Sequence, residues 1–122
     1  VGDDFGKKYR MHLKDEIEML FQQGRKVHFF PILSHVYQQQ SESPQFSVLI
    51  SVPKKKIRKA HDRNRIKRMV RECLRRNKEP LVKKTSEEGC VLRISIVYLS
   101  NEIAEFSQVE SQIKQIIQKI CA

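Results

Sequence analysis

Leu13, Ile17, Leu20 and Phe21 fall at i, i+4, i+7 and i+8, the spacing with which a helix lays one face on a core. Gly24 stands where a helix C-cap usually falls, so this first helix is expected to end near Gln23. The run VHFFPILSHVY (27–37) is rich in strand formers, and Pro31 assigns it to a sheet edge or a bulge. The polar stretch QQQSESPQ (38–45) reads as a hairpin loop. In FSVLISV (46–52), Phe46, Val48, Ile50 and Val52 alternate with Ser47, Leu49 and Ser51, as in a half-buried strand.

A helix is expected next from about Ala60 to Asn77, stopping before Pro80, followed by the polar connection KKTSEEG (83–89). CVLRISIVYL (90–99) is the clearest strand in the chain. Ser107 and Glu110 have the spacing of a capping box, and beyond it Val109, Ile113, Ile116, Ile117 and Ile120 recur at helical spacing. The predicted order is α-β-β-α-β-α, with room for a further short strand around residues 25–29 and so about four strands. The pattern contains no repeats. With 122 residues the chain suits one α+β domain over 1–122, with residues 1–8 as a disordered tail.

Charge changes this picture. The net charge is +10. From Lys54 to Arg76 the chain reads KKKIRKAHDRNRIKRMVRECLRR, with twelve Lys and Arg against Asp62 and Glu72, so this one segment carries the whole excess. Charge concentrated in this way points to a polyanion. An anionic membrane is disfavoured, since interfacial helices also expose broad faces of Trp, Phe and Leu. Here Trp is absent and no apolar run approaches the ~18 residues of a spanning helix. With no signal-peptide pattern at the start, the chain is expected to be cytoplasmic. Cys73, Cys90 and Cys121 are odd in number and lack a Cys-x-x-Cys pair, and His12, His28, His35 and His61 lack ligand spacing. Neither a disulfide framework nor a protein-held metal is expected.

Advanced at 100° per residue, the basic helix sorts into two faces. Ile66, Met69, Val70, Cys73 and Leu74 share an apolar stripe; Asn64, Lys67, Arg68, Arg71 and Arg75 lie opposite. A merely solvated helix would mix signs at i, i+4, whereas Lys67, Arg71 and Arg75 repeat one sign and repel. Phosphates of a nucleic acid would relieve that repulsion and release counterions. Arg offers a planar fork to phosphate, and Asn64 can donate and accept at a base edge or sugar hydroxyl. No Gly-rich phosphate loop, carboxylate cluster or nucleophile–base arrangement appears, so no catalytic residue is assigned. Asp62 and Glu72 are read as dipole support and charge relief.

Lys55-Lys56-Ile57-x-x-Ala60-x-x-Arg63-Asn64-Arg65-Ile66-Lys67-Arg68-x-x-Arg71, preceded by a strand containing Ser-Val, resembles the signature of the bacterial ribonuclease P protein component. The resemblance extends over nearly the whole chain, from the Phe21-x-x-Gly24 helix end to the closing helix. It implies a two-layer α/β sandwich of ribosomal-protein-like fold, with a left-handed crossover at the basic helix. It also implies an RNA-binding cofactor of a catalytic RNA, enzymatic only within the holoenzyme, which with Mg²⁺ held mainly by the RNA removes the 5′ leader of precursor tRNA. By match, Lys55, Lys56, Arg63, Asn64, Arg65, Lys67, Arg68 and Arg71 inherit RNA contact, and Arg58 and Lys59 add charge beside them. A leader cleft between the first helix, the basic helix and the sheet would draw on Phe21. Ile17 and His35 stand there where the family often has aromatics. From periodicity alone, Phe21 equally suits the core. The protein would be a monomer within its ribonucleoprotein. A structural ribosomal RNA-binding protein is the alternative of similar charge. A DNA-binding regulator is another, but its recognition helix needs a short preceding helix and a tight turn, where this chain has FSVLISVP.

Overall fold

A computed structural model describes residues 14–122. The tail expected at 1–8 and Leu13 of the first apolar stripe lie outside the described residues. In chain order the elements are α1 (Lys14–Gln23), β1 (Arg25–Phe29), β2 (Ile32–Gln40), β3 (Gln45–Ser51), α2 (Ala60–Asn77), α3 (Glu79–Glu88), β4 (Cys90–Tyr98) and α4 (Phe106–Cys121). The strands form one sheet in the order β1-β2-β4-β3. β1 and β4 both run antiparallel to β2, and β3 runs parallel to β4. Parallel neighbours need a long crossover, which here passes through α2 and α3.

The run 27–37 is two strands rather than one. Phe30 and Pro31 make the turn between β1 and β2, their peptide bond is cis, and the Pro31 carbonyl accepts from the Leu99 N–H at 2.7 Å. Nor is 38–45 a hairpin loop. Gln38–Gln40 continue β2, Gln45 opens β3, and β4 lies between those two strands. Residues 41–44 therefore cross the end of β4, and the Ser41 N–H donates to the Gly89 carbonyl at 3.0 Å.

The expected polar connection at 83–89 is mostly helix. Pro80 opens α3 in its first turn, where a missing N–H is harmless. Leu81 and Thr85 are buried, while Lys83 pairs with Glu87 on the exposed side and the half-buried Lys84 pairs with Glu88. Gly89 ends α3 at φ 59°, its N–H returning to the Thr85 carbonyl. The capping box at Ser107 is not formed. Glu105 is the N-cap of α4, and Ser107 already sits inside the helix.

Strand alternation assigns the two faces of the sheet. Phe46, Val48, Leu92, Ile94, Ile96 and Tyr98 point into the main core with Ile66, Val70, Cys73 and Leu74 of α2 and the five predicted apolar positions of α4. Each buried Ile of α4 contributes about 1.5–3 kcal/mol by leaving water, which makes α4 the principal clamp on this face. The other face, which carries Leu33, His35, Tyr37, Arg93 and Ser95, is crossed by α1. Leu20 is fully buried there, and Glu16 reaches Arg93 at 3.7 Å. Gly24 closes α1 by close approach. A Cβ at this position would stand 2.4 Å from the Leu20 carbonyl oxygen and 3.1 Å from that of Val36.

Candidate nucleic-acid interface

The basic segment divides into a loop and a helix, each pinned by apolar side chains. Pro53 turns the chain, its carbonyl accepting from the Lys56 and Ile57 N–H groups at 3.0 and 3.1 Å. Ile57 is buried, while Lys54, Lys55, Lys56, Arg58 and Lys59 stay exposed around it. α2 then runs over the predicted residues, with Ile66, Val70, Cys73 and Leu74 inward and Met69 half-buried against the core. Asn64, Arg65 and Arg68 are exposed, and Lys67 and Arg71 are half-buried. Burial holds the Cys73 thiol up at about 12, so it stays protonated and inert.

The cationic face is shorter than the helix. Arg75 donates to Glu72 at 2.9 and 2.6 Å and Arg76 at 3.0 Å, and the Arg75 hydrogen bonds foremost hold the Glu72 carboxyl down at about 2. Arg76 also lies 5.0 Å above the Phe106 ring and 4.0 Å from Glu110. Placing Arg75 on the unopposed cationic face is thus corrected: an acid at i−3 neutralises it, a spacing that the i, i+4 reading passed over.

Of the inherited residues, Arg63 behaves differently from its neighbours. Its Nη1 donates to the carbonyls of Ile57 at 3.1 Å and Arg58 at 2.7 Å. An open pocket of about 500 Å³ is lined by Lys55, Lys56, Arg58 and Lys59 together with Asp62, Asn101 and Ile103. Sequence reasoning missed Asn101 and Ile103. They come from the loop after β4, which Tyr98 holds by donating its hydroxyl to the Glu102 carbonyl at 2.6 Å and accepting from the Ala104 N–H at 2.9 Å. Nothing local in the sequence marks that juxtaposition.

Phe21 and His35 meet on the α1 face of the sheet, and Ile17 lies one turn before Phe21 on α1. Leu20 takes the core position of α1, Ile17 is half-buried, and Phe21 is 41% exposed with its ring edge-on to His35 at 4.7 Å. Met19 is exposed on the same helix. The core alternative for Phe21 is therefore excluded. The Ser95 hydroxyl accepts from the His35 N–H at 2.8 Å and lies 3.3 Å from Nδ1, while Ser34 donates to the Ser95 carbonyl at 2.6 Å. A Ser95 hydroxyl donating to Nδ1 would satisfy this buried set, with the ring proton then on Nε2. Burial first, then the charge of Lys26, lowers the His35 pKa. Beside α1 the strand face is half-covered at Tyr37, Ser47, Leu49, Ser51 and Val97. The apolar stripe of α2 packs in the opposite layer.

Fold and surface together define an α+β protein whose crossover helix displays a run of cations beside a basic loop. Residues 5–121 match the Ribonuclease P family. The ribonuclease P protein component of Porphyromonas gingivalis is 36% identical over 116 residues, covering 93% of this chain and 84% of the relative. That of Bacillus cereus is 39% identical over 79 residues, 64% of each chain. Among solved structures, the RNase P protein from Thermotoga maritima superposes with a TM-score of 0.71 at 22% identity, covering 90% of this chain and 96% of that one. The Staphylococcus aureus RNase P protein gives 0.62 at 21%, covering 92% and 94%. The chain belongs to the ribonuclease P protein family.

Proposed function

We propose that this protein is the protein cofactor of ribonuclease P, binding a catalytic RNA subunit and the 5′ leader of precursor tRNA during endonucleolytic maturation of tRNA 5′ ends. The observation that carries this reading is the exposed cationic run of Lys55, Lys56, Arg58, Lys59, Arg65 and Arg68 with Asn64 among them, held rigid by Ile57 and the apolar stripe of α2. Lys67 and Arg71 border it. Such a face neutralises phosphates irrespective of sequence, and bound phosphates in turn relieve the repulsion along the helix. The α1 face of the sheet suits a single strand, since the exposed Phe21 ring beside His35 can stack on a base. No three His, Cys, Asp or Glu side chains converge to hold a metal among the described residues. In this reading Mg²⁺ belongs to the RNA side, and the side chains here bind and orient. No helix among the described residues is long and apolar enough to cross a membrane.

Reconstitution tests the reading. Protein alone should leave precursor tRNA intact, and protein with the RNA subunit and Mg²⁺ should cut once, at the mature 5′ end. Cleavage at that position by RNA-free, nuclease-free protein would overturn it, as would failure to bind the RNA subunit at all.

A further inference from the structure

We infer that Arg63 acts as a positioning residue: it braces the basic loop 54–59 into a preorganised phosphate site instead of contacting RNA as one more cation. This rests on the proposed RNA-binding role of that loop. The geometry is specific. One guanidinium nitrogen, Nη1, is shared between two successive carbonyls, Ile57 at 3.1 Å and Arg58 at 2.7 Å. Those carbonyls belong to the last loop residues before α2, whose N-cap Lys59 makes no side-chain capping bond. Among the described residues the loop is also held by two N–H bonds to the Pro53 carbonyl, by the Arg63 N–H on the Lys59 carbonyl at 3.0 Å and by the buried Ile57 side chain. Arg63 is thus the tie between the loop and the first turn of the helix. A flexible loop carrying five cations loses chain entropy on binding a phosphate; a braced one has already lost it. Four of them, Lys55, Lys56, Arg58 and Lys59, line a single pocket. Bringing them together works against their mutual repulsion, and charge-assisted hydrogen bonds to two carbonyls oppose it.

The assignment separates Arg63 from Arg65 and Arg68, which are exposed on the same helix. Removing a simple phosphate-binding side chain lowers the slope of log K against log salt by roughly one unit. Removing the brace should lower it by about two or more, because the loop cations lose their common geometry. It should also couple to them. In the parent, Lys55→Ala with Lys56→Ala should weaken RNA-subunit binding about tenfold or more; on an Arg63→Ala background the same pair should cost little further, a non-additivity expected of residues acting as one unit.

The experiment measures binding to the RNA subunit from low to high salt for the parent, Arg63→Ala, Arg68→Ala, and each combined with the double lysine substitution. Amide exchange at Lys56 and Ile57 is followed in the RNA-free protein. Expected are faster exchange in Arg63→Ala, coupling of Arg63 to the loop, and independent losses for Arg68. Arg63→Lys keeps the charge without the fork and should lower the slope much as alanine does, which also carries the test if Arg63→Ala does not fold. A one-unit slope change with multiplying losses and unchanged exchange would return Arg63 to the ordinary phosphate ligands and overturn the inference. A parent slope near zero would instead overturn the RNA-binding reading of the loop itself.

Discussion

At residue scale, Phe21 and His35 test the proposed leader site most directly. Since Leu20 fills the core position and Phe21 is 41% exposed, Phe21→Ala should cost folding only modestly, well below the ~3–5 kcal/mol of a truncated core ring. Its effect should fall on precursor tRNA with a leader of several nucleotides, at about 1–3 kcal/mol for one missing stack. Mature tRNA and assembly with the RNA subunit should be nearly untouched, which affinities for the three ligands beside a thermal melt will check. His35 gives a pH prediction. Its folded pKa lies below the ordinary 6.5, through burial and then Lys26. The stability contributed by the neutral ring is therefore present above pH 6.5. It is lost as pH falls below that value, where the unfolded chain takes a proton that the native ring refuses. The melting-temperature advantage of the parent over His35→Gln should shrink from pH 7.5 to pH 5.5. A constant gap would mean that the ring takes up protons equally in the folded and unfolded chains.

At the scale of elements, α2 makes the sharpest claim. Arg68 is exposed on its cationic face, whereas Arg75 is clasped by Glu72 at 2.6 Å. Arg68→Ala should lower the salt slope for RNA-subunit binding by roughly one unit, and Arg75→Ala should leave it nearly unchanged. Equal losses at both positions would show that RNA displaces the acid. The bounds of α2 and the five inward residues of α4 were legible in the sequence because a stripe at helical spacing is decided locally, by which residues must leave water. α3 was not, since Pro80 serves equally to stop one helix and to start the next, and only the burial of Leu81 and Thr85 decides. Ser107 had the spacing for a cap, but Phe106 packs on the core and begins the helix before it. The candidate site shows the same division. The cations were visible in the one-dimensional pattern. The brace at Arg63, the neutralisation of Arg75 and the arrival of Asn101 depend on bonds that a periodic pattern does not encode.

At the scale of the whole molecule, the strand order β1-β2-β4-β3 has a consequence for the nascent chain. A ribosome delivers the β1–β2 hairpin first, then β3. These cannot pair through a common edge, because the place between β2 and β3 belongs to β4, a strand that begins 39 residues beyond the end of β3, counted from Ser51 to Cys90. Until β4 emerges, both β2 and β3 carry open hydrogen-bonding edges, and the cationic segment is synthesised before the sheet that will hold it exists. Exposed edges of this kind recruit other chains, and pairings this distant in sequence form slowly. A chain ending at Gly89 should therefore show no cooperative melt and should aggregate. A separate peptide spanning 90–122, supplying the missing central strand and α4, should restore a folded complex; cooperative unfolding of the truncated chain alone would contradict this. Ribosome-bound chains of this length are surrounded by ribosomal RNA, the same polyanion chemistry proposed for the finished surface. The late strand thus sets an interval in which twelve cations between Lys54 and Arg76 are available to any RNA nearby before the fold can discriminate among them.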